Sequence, residues 1–282
     1  MRAKFGTAGN PDNFALEGFK KSKNMPLWLK GKGLDAYEYQ CGKGVNVGEA
    51  TAREIGHQAA LAGIALSLHA PYFVNPANPD PDSQEKTAGY VLAACQVARW
   101  MGAGRVVIHT GALQKRSREA ALATAKESFR MLRQRCDDAG YGDILLCPET
   151  MGKINQLGTL DEVLALCGVD KRITPCIDFG HLNARTLGGL AAKEDYAAVL
   201  DRMADVLQDD RAKCFHAHFS KIEYTAGGEK QHLTFEDEVF GPRYEPLMEL
   251  LYQRGLTPVI ICESAGTQSE DAAAMSRYYA AL

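Results

Sequence analysis

The chain has 282 residues, of which 46% are apolar and 24% are charged, a composition typical of a folded globular protein that buries a large core. No run of 18 apolar residues occurs, so the sequence predicts neither a membrane span nor a membrane partner. The net charge of −3 gives no sign of nucleic-acid binding, although a metal cluster or a local basic rim can still attract DNA. The N-terminus has no apolar signal-peptide segment, which favours a cytoplasmic protein.

Short apolar segments with strand character recur along the whole chain, at intervals of roughly 30–40 residues. The predicted strands are Ala3–Ala8, Leu34–Gln40, Ala65–Ala70, Arg105–Thr110, Asp143–Glu149, Ile173–Asp178, Lys213–Ser220 and Pro258–Glu263. Stretches with helical periodicity separate them, and such alternation indicates parallel strands joined by right-handed crossovers. Eight repeats of this unit predict an α/β protein that forms one closed (β/α)8 barrel over residues 1–282. An open doubly wound sheet is the alternative, but its Gly-x-Gly-x-x-Gly turn is missing.

The helical periodicity is clearest in the middle of the chain. One predicted helix face carries Val91, Cys95, Ala98 and Met101, and Gly102 can end that helix. The next face is formed by Leu122, Ala125, Phe129, Leu132 and Cys136. Further helices are predicted over Leu160–Cys167, Asp195–Leu207, Tyr244–Arg254 and Glu270–Ala281.

Two long loops are predicted directly after strands, at Pro71–Ser83 and Lys221–Pro242. Barrel enzymes build their active sites from the loops at the carboxyl ends of the strands. We therefore expect both loops to contribute substrate contacts.

Histidines and carboxylates concentrate at the ends of the predicted strands. Those at strand ends are His69, His109, His181, His216 and His218, together with Glu149, Asp178 and Glu263. His232 follows in the loop after the seventh strand, whereas His57 lies in a helical stretch and is interpreted as structural. Carboxylates that face one another repel unless they are protonated or bind a cation. Mixed imidazole and carboxylate ligands suit zinc, manganese or iron, so the sequence predicts a metal centre.

His216 and His218 are two residues apart on one strand, so both side chains point to the same face at different depths. One of them can be a metal ligand while the other donates a hydrogen bond that orients the ligands. The pattern leaves open which is which.

The chain contains eight cysteines, and Cys147, Cys176, Cys214 and Cys262 lie inside strand-like apolar segments. No Cys-x-x-Cys pair occurs. The cysteines are therefore predicted to be small buried apolar residues in a reducing compartment.

Taken in order, these strand-end motifs resemble the endonuclease IV family (AP endonuclease family 2), within the xylose isomerase-like TIM barrel superfamily. The matching positions are His69-Ala-Pro-Tyr-Phe-Val-Asn75, His109, Glu149-Thr-Met-Gly, Asp178-Phe-Gly-His181, His216 with Ser220-Lys221, and Glu263. The resemblance implies a hydrolase that cleaves DNA on the 5′ side of abasic sites, with a metal-bridging hydroxide as the nucleophile. Damaged duplex DNA would then be the partner of a monomeric enzyme.

The resemblance also implies a set of metal ligands. One zinc ion would be held by His69, His109 and Glu149, and a second by Glu149, Asp178, His216 and Glu263, with Glu149 as the bridge. A third would be held by His181 and His232. Two or three zinc ions are expected, with manganese or iron as alternatives, and Glu149, Asp178 and Glu263 would be catalytic.

Several positions depart from the family pattern. Lys230 stands where the family has an aspartate two residues before His232, so the third metal is expected to be weak, absent or held through Glu229. The loop Gln40-Cys-Gly-Lys-Gly44 lacks the Arg and Gln with which the family probes DNA, and Thr110-Gly-Ala-Leu replaces Pro-Gly-Ser-His. These departures indicate a divergent branch.

Substrate contacts follow from the DNA interpretation. Tyr72 and Phe73 are expected to pack on an extruded sugar, while Asn75 either binds phosphate or caps a turn. Lys221 is expected at a phosphate. Further candidate phosphate contacts are Lys43, Lys230 and Arg243.

Two other functions fit the same barrel. A sugar isomerase or epimerase would use one divalent metal held by Glu149, Asp178, His216 and Glu263, with His69 and His109 binding sugar hydroxyls. A barrel that binds metal without catalysis is the remaining possibility.

Overall fold

The computed structural model describes residues 2–282 and contains a closed barrel of parallel strands with helices around it. The barrel strands are β1 (Lys4–Ala8), β2 (Ala36–Gln40), β3 (Ala65–His69), β4 (Arg105–His109), β5 (Leu145–Glu149), β6 (Cys176–Asp178), β7 (His216–Phe219) and β10 (Val259–Cys262). Each strand pairs with its neighbour in chain order, and β10 closes the barrel on β1, with Lys4 opposite Val259. This architecture confirms the predicted (β/α)8 barrel.

Helices cover the outside of the barrel. They are α1 (Asp12–Leu16), α2 (Met25–Gly31), α3 (Glu49–Ala62), α4 (Pro81–Met101), α5 (Arg118–Asp138), α6 (Leu160–Cys167), α7 (Phe179–Arg185), α8 (Lys193–Leu207), α9 (Glu245–Gln253) and α10 (Gln268–Ala280). Short 3-10 helices occupy Ser22–Asn24 and Asp210–Ala212. Among residues 2–282, no helix combines the length and the apolar character needed to cross a bilayer.

The predicted helix faces are confirmed by burial. Val91 and Met101 of α4 and Phe129 and Leu132 of α5 lie in the core between helices and barrel. Asp80 begins α4 by accepting a hydrogen bond from the Ser83 backbone N–H at 2.8 Å, so the preceding loop ends three residues earlier than predicted.

The prediction that Lys221–Pro242 is a loop was wrong over its first half. This segment forms an antiparallel hairpin of β8 (Lys221–Thr225) and β9 (Gly228–Leu233) that folds over the barrel mouth. Its strands are largely polar because the hairpin is only partly buried, so the apolar alternation that reveals a strand is absent.

The seventh barrel strand is also shorter than predicted, since it begins at His216 rather than Lys213. Cys214 therefore lies outside the strand and is half-buried, whereas the other seven cysteines are buried; all eight are free thiols.

The barrel interior is polar towards the carboxyl ends of the strands. His69, Glu149, Asp178 and His218 form an upper layer, and Glu38 and His216 lie beneath it. Barrel interiors are usually filled by branched apolar side chains. Buried charge of this density is costly unless its members pair with one another or bind a cation, so this end of the barrel is the candidate site.

Candidate metal centre

The parallel strands bring the predicted ligands to one face of the barrel. The register of β4 and β5 places His109 beside Glu149, and that of β6 and β7 places Asp178 beside His218. His69 ends β3, and Glu263 follows β10 directly. Residues from distant parts of the sequence therefore converge because every parallel strand ends at the same rim.

Glu149 lies at the centre of the cluster and is 1% exposed. Its Oε2 atom is 3.3 Å from His69 Nε2 and 3.2 Å from His109 Nε2. Its other oxygen, Oε1, is 3.0 Å from His218 Nδ1 and 3.4 Å from His181 Nδ1. Each carboxylate oxygen thus faces a different group of imidazoles, which is the arrangement that a bridging ligand requires.

Asp178 and Glu263 complete a second group with His218 and Glu149, whose ligand atoms all lie within 4.8 Å of one another. Asp178 Oδ1 accepts the His181 backbone N–H at 2.7 Å and so caps α7. Asp178 Oδ2 is buried and has no hydrogen-bond partner. A buried carboxylate oxygen without a hydrogen-bond donor is costly, and a cation bound by this second group would satisfy it.

The sequence left open which of His216 and His218 is the ligand, and the structure places His218 in this second group, whereas His216 belongs to a group with Cys176 and His218. His216 lies one layer deeper, with Nε2 2.8 Å from Glu38 Oε2. Burial lowers the pKa of His216 to about 4, so its imidazole is neutral and donates to that carboxylate. Both side chains point into the barrel, as predicted, but only His218 reaches the second group of ligand atoms.

A third group consists of His181, Glu229 and His232. His181 Nε2 is 3.4 Å from Glu229 Oε2. Lys230 points away from the group and pairs with Glu223 at 2.6 Å. Of the outcomes expected for this site, the geometry fits a ligand set completed by Glu229.

A β-bulge explains how Glu229 substitutes for the missing aspartate. Glu223 pairs with Gln231 and Tyr224 with Glu229, so Lys230 is the extra residue in β9. Residues three apart normally face opposite sides of a strand, but one extra residue restores the same side. Glu229 and His232 therefore both face His181.

Protein groups hold the second ring nitrogen of four candidate ligand histidines, whereas His218 Nε2 has no hydrogen-bond partner. His69 Nδ1 donates to the Ala70 carbonyl at 2.7 Å, His109 Nδ1 to the Tyr72 carbonyl at 3.0 Å, and His181 Nδ1 to the Thr150 carbonyl at 2.9 Å. A carbonyl can only accept, so these bonds leave each Nε2 atom with a lone pair for a metal. Ser220 Oγ similarly contacts His232 Nδ1 at 2.8 Å.

Glu38 is a member of this centre that the sequence did not reveal. It is fully buried on β2, and its Oε1 atom is 2.9 Å from His218 Nε2. Ser67 Oγ also donates to Glu38 at 2.8 Å. Glu38 lies inside a predicted strand and not at its end, so the strand-end pattern did not include it. The same segment also contains Asp35 and Gln40, so one more polar residue gave no distinct signal.

The ionisation of the cluster shows how strongly its members depend on each other. Burial raises the pKa of Glu149, but four surrounding imidazoles outweigh it and hold that pKa well below its usual range. Burial lowers the pKa of His69, yet Glu149 raises it to about 9. Imidazoles and carboxylates thus balance one another's charge, and bound cations would replace the protons on the imidazoles in this role.

Of the predicted substrate contacts, some lie at the cavity and others do not. Tyr72 lines the cavity above the cluster and is 55% exposed. Asn75 lies away from the cavity, where its Oδ1 atom accepts the Ala112 backbone N–H at 3.1 Å and ties two loops together. The Lys221 amine donates to the carbonyls of Phe235 and Asp237, so it holds the loop after the hairpin rather than facing the cluster.

The cluster forms the floor of an open cavity of about 340 Å³. One wall comes from the β5–α6 loop, at Met151, Lys153 and Gln156, and the opposite wall from Gln40 and Tyr72. His57 is exposed on α3 and lies outside this cavity.

Several known proteins are similar to this chain. An uncharacterised protein of Methanocaldococcus jannaschii is 30% identical over 260 residues, which cover 92% of this chain and 91% of that protein. A probable endonuclease 4 of Acholeplasma laidlawii is 27% identical over 198 residues, covering 68% of this chain and 64% of that protein.

Solved structures share the barrel. A D-tagatose 3-epimerase-like protein superposes with a TM-score of 0.74 at 18% identity, covering 99% of this chain and 97% of that chain. Endonuclease IV from Thermus thermophilus superposes with a TM-score of 0.66 at 17% identity, covering 100% of this chain and 98% of that chain. The model of the xylose isomerase-like TIM barrel family matches residues 27–279. The chain therefore belongs to the xylose isomerase-like TIM barrel family.

Proposed function

We propose that this protein is a metal-dependent phosphodiesterase of the endonuclease IV type, which cleaves duplex DNA on the 5′ side of abasic sites. The proposal includes two or three zinc ions as the cofactor and a monomeric cytoplasmic protein. It draws on the resemblance to endonuclease IV proteins, which covers 68% of this chain in the match to the A. laidlawii protein.

One observation carries the proposal: three ligand groups meet at one rim, and Glu149 belongs to two of them. A barrel with a single metal ion needs only the group of Glu149, Asp178, His218 and Glu263. His69, His109 and the third group, which includes residues of the hairpin, would then have no metal to bind. Phosphodiester cleavage is a reaction that uses several metal ions at once.

The donor set suits zinc. Imidazole nitrogens and carboxylate oxygens supply every position, and no cysteine belongs to the three groups at the rim. Manganese or iron would accept the same ligands. When bound, such ions acidify water and neutralise charge that develops on phosphorus.

The chain's own residues prepare this chemistry in three ways. Glu149 holds the two halves of the centre at a fixed separation, with one oxygen facing each half. The hydrogen bonds of His69, His109 and His181 to backbone carbonyls orient their rings before any ion arrives. Tyr72, exposed at the mouth beside the centre, offers an aromatic face to a sugar that has lost its base.

The test is strand incision of a duplex oligonucleotide that carries one abasic site, using protein whose metal content has been measured by plasma mass spectrometry. The proposal expects cleavage on the 5′ side of the lesion, loss of activity with a chelator, and recovery when zinc is returned. A duplex of the same sequence without the lesion is the control. Zinc-loaded protein that leaves the abasic strand intact would refute the proposal.

A second candidate is a sugar epimerase or isomerase. It is favoured by the group of Glu149, Asp178, His218 and Glu263, which can hold one divalent ion, and by a cavity of about 340 Å³, which is of a size for a small ligand. One bound ion per chain, with interconversion of ketoses and no incision, would establish this candidate instead.

A further inference from the structure

Lys153 is the one amine side chain among the described residues that lines the cavity above the metal centre. It lies on the β5–α6 loop and follows Glu149, the bridging residue of the centre, by four positions. It forms no ion pair with any carboxylate among residues 2–282, whereas Lys230 on the neighbouring hairpin is paired with Glu223. The wall therefore carries an amine without an ion pair, in the same cavity that Glu149, Glu229 and Glu263 line.

Two arginines hold the loop that carries Lys153. Arg185 Nε donates to the Met151 carbonyl, and its Nη2 atom donates to the carbonyls of Lys153 and Gln156, each at 2.7 Å. Arg118 donates to the carbonyls of Ile154 and Gln156, each at 3.0 Å. Backbone carbonyls that would otherwise bind water are thus fixed by guanidinium groups, so the loop is ordered before a ligand arrives.

These arginines also add to the positive charge behind the loop. Arg118 is paired with Glu162 at 2.7 Å, but Arg185 has only carbonyl partners and no ion pair among the described residues. Arg185 is half-buried, and this burial lowers the pKa of its guanidinium to about 10.

We propose that Lys153 binds a phosphate group of the substrate, so that this site selects an anionic phosphodiester over a neutral sugar, and that Arg185 is the residue that positions Lys153. This inference rests on the proposed function, because it assigns a role in binding the same substrate. A neutral sugar would gain nothing from the amine, whereas a phosphate oxygen would accept a charge-assisted hydrogen bond from it.

The test compares Lys153→Ala and Lys153→Arg with Lys171→Ala in the zinc-loaded protein. Lys171 is an exposed lysine at the opposite end of the barrel, before β6, so its variant is a matched control for loss of one charge. For abasic duplex, Lys153→Ala is expected to raise KM about tenfold with little change in kcat or zinc content. Its activity should also depend less steeply on salt, and Lys153→Arg should restore both values. Equal kinetics for Lys153→Ala and Lys171→Ala would overturn the inference.

Arg185→Lys tests the positioning role. If Arg185 acts through Lys153, the double variant Arg185→Lys with Lys153→Ala should have a KM no higher than that of Lys153→Ala alone. Additive losses, or loss of zinc from Arg185→Lys, would assign Arg185 a structural role only.

Failure of the proposed function can be told apart from failure of this inference. If the wild-type protein incises no abasic strand, titration calorimetry with inorganic phosphate still tests Lys153. Binding that weakens about tenfold in Lys153→Ala and is unchanged in Lys171→Ala would support the phosphate site. Equal phosphate affinity in both variants would overturn it.

Discussion

Glu38 and His218 meet inside the barrel, with Glu38 Oε1 2.9 Å from His218 Nε2. Both side chains are fully buried, and the other imidazole nitrogen of His218 faces Glu149 at 3.0 Å. The Glu38 carboxylate thus lies against the Nε2 edge of His218 without forming a hydrogen bond to it, and the Nδ1 edge faces Glu149 and Glu263. A carboxylate behind a ligand histidine also makes the imidazole a better donor of electrons to the ion.

Replacing Glu38 with Gln should therefore weaken metal binding without removing any ligand. The expected loss is about 10–100-fold in affinity for the ion held by His218, measured by competition with a chromogenic chelator. Ser67→Ala, which removes only a neutral donor to Glu38, is the control and should have a smaller effect. Unchanged affinity in Glu38→Gln would show that Glu38 does not orient His218.

Glu149→Gln should have the largest effect on the centre. It removes the charge from the one carboxylate that faces all four neighbouring imidazoles, so we expect the loss of two ions per chain and of incision. Metal content by plasma mass spectrometry provides the measurement. A variant that keeps its ions and its full rate would exclude a bridging role.

His218→Ala and His216→Ala should differ, although the two residues are neighbours on β7. His218→Ala is expected to release one ion per chain, whereas His216→Ala should keep the metal content. The latter should instead lose about 1–3 kcal/mol of stability in urea unfolding, since Glu38 loses a buried donor. The reverse result would return His216 to the ligand set.

Glu229→Gln and Lys230→Ala test the third group. The first variant should release the ion held with His181 and His232, while the second should keep it because Lys230 points towards Glu223. Metal content and incision rate of the two variants can be measured side by side. Equal ion loss in both would mean that the bulge does not direct Glu229 to the site.

Phe129→Ala tests the packing of the helices on the barrel. Phe129 is fully buried in the core on α5, so its truncation should lower the free energy of unfolding by about 3–5 kcal/mol. Leu61→Ala is the control, because Leu61 is 67% exposed on α3. A loss below about 1 kcal/mol for Phe129→Ala would show that the core is loosely packed there.

The sequence alone predicted most of the barrel and most of the centre. Strand-like segments alternate with helical ones, and parallel strands place their ends on one rim, so His69, His109, Glu149, Asp178 and Glu263 could be grouped without coordinates. The periodicity of apolar residues carries this information because it is local.

Only the tertiary structure reveals the hairpin, the bulge and the position of Glu38. The β8–β9 hairpin has no apolar alternation, and the bulge at Lys230 depends on its pairing with the opposite strand. Glu38 matters only because β2 and β7 place it beside His218 and His216.

His216 and His218 show most clearly which properties the sequence determines and which depend on the tertiary structure. The sequence determined that both point into the barrel, since residues two apart on a strand share a face. Their depth relative to Glu149, Asp178 and Glu263 depends on how seven other strands are staggered around them. That stagger is set by the closure of the whole barrel, and no local pattern in the chain records it.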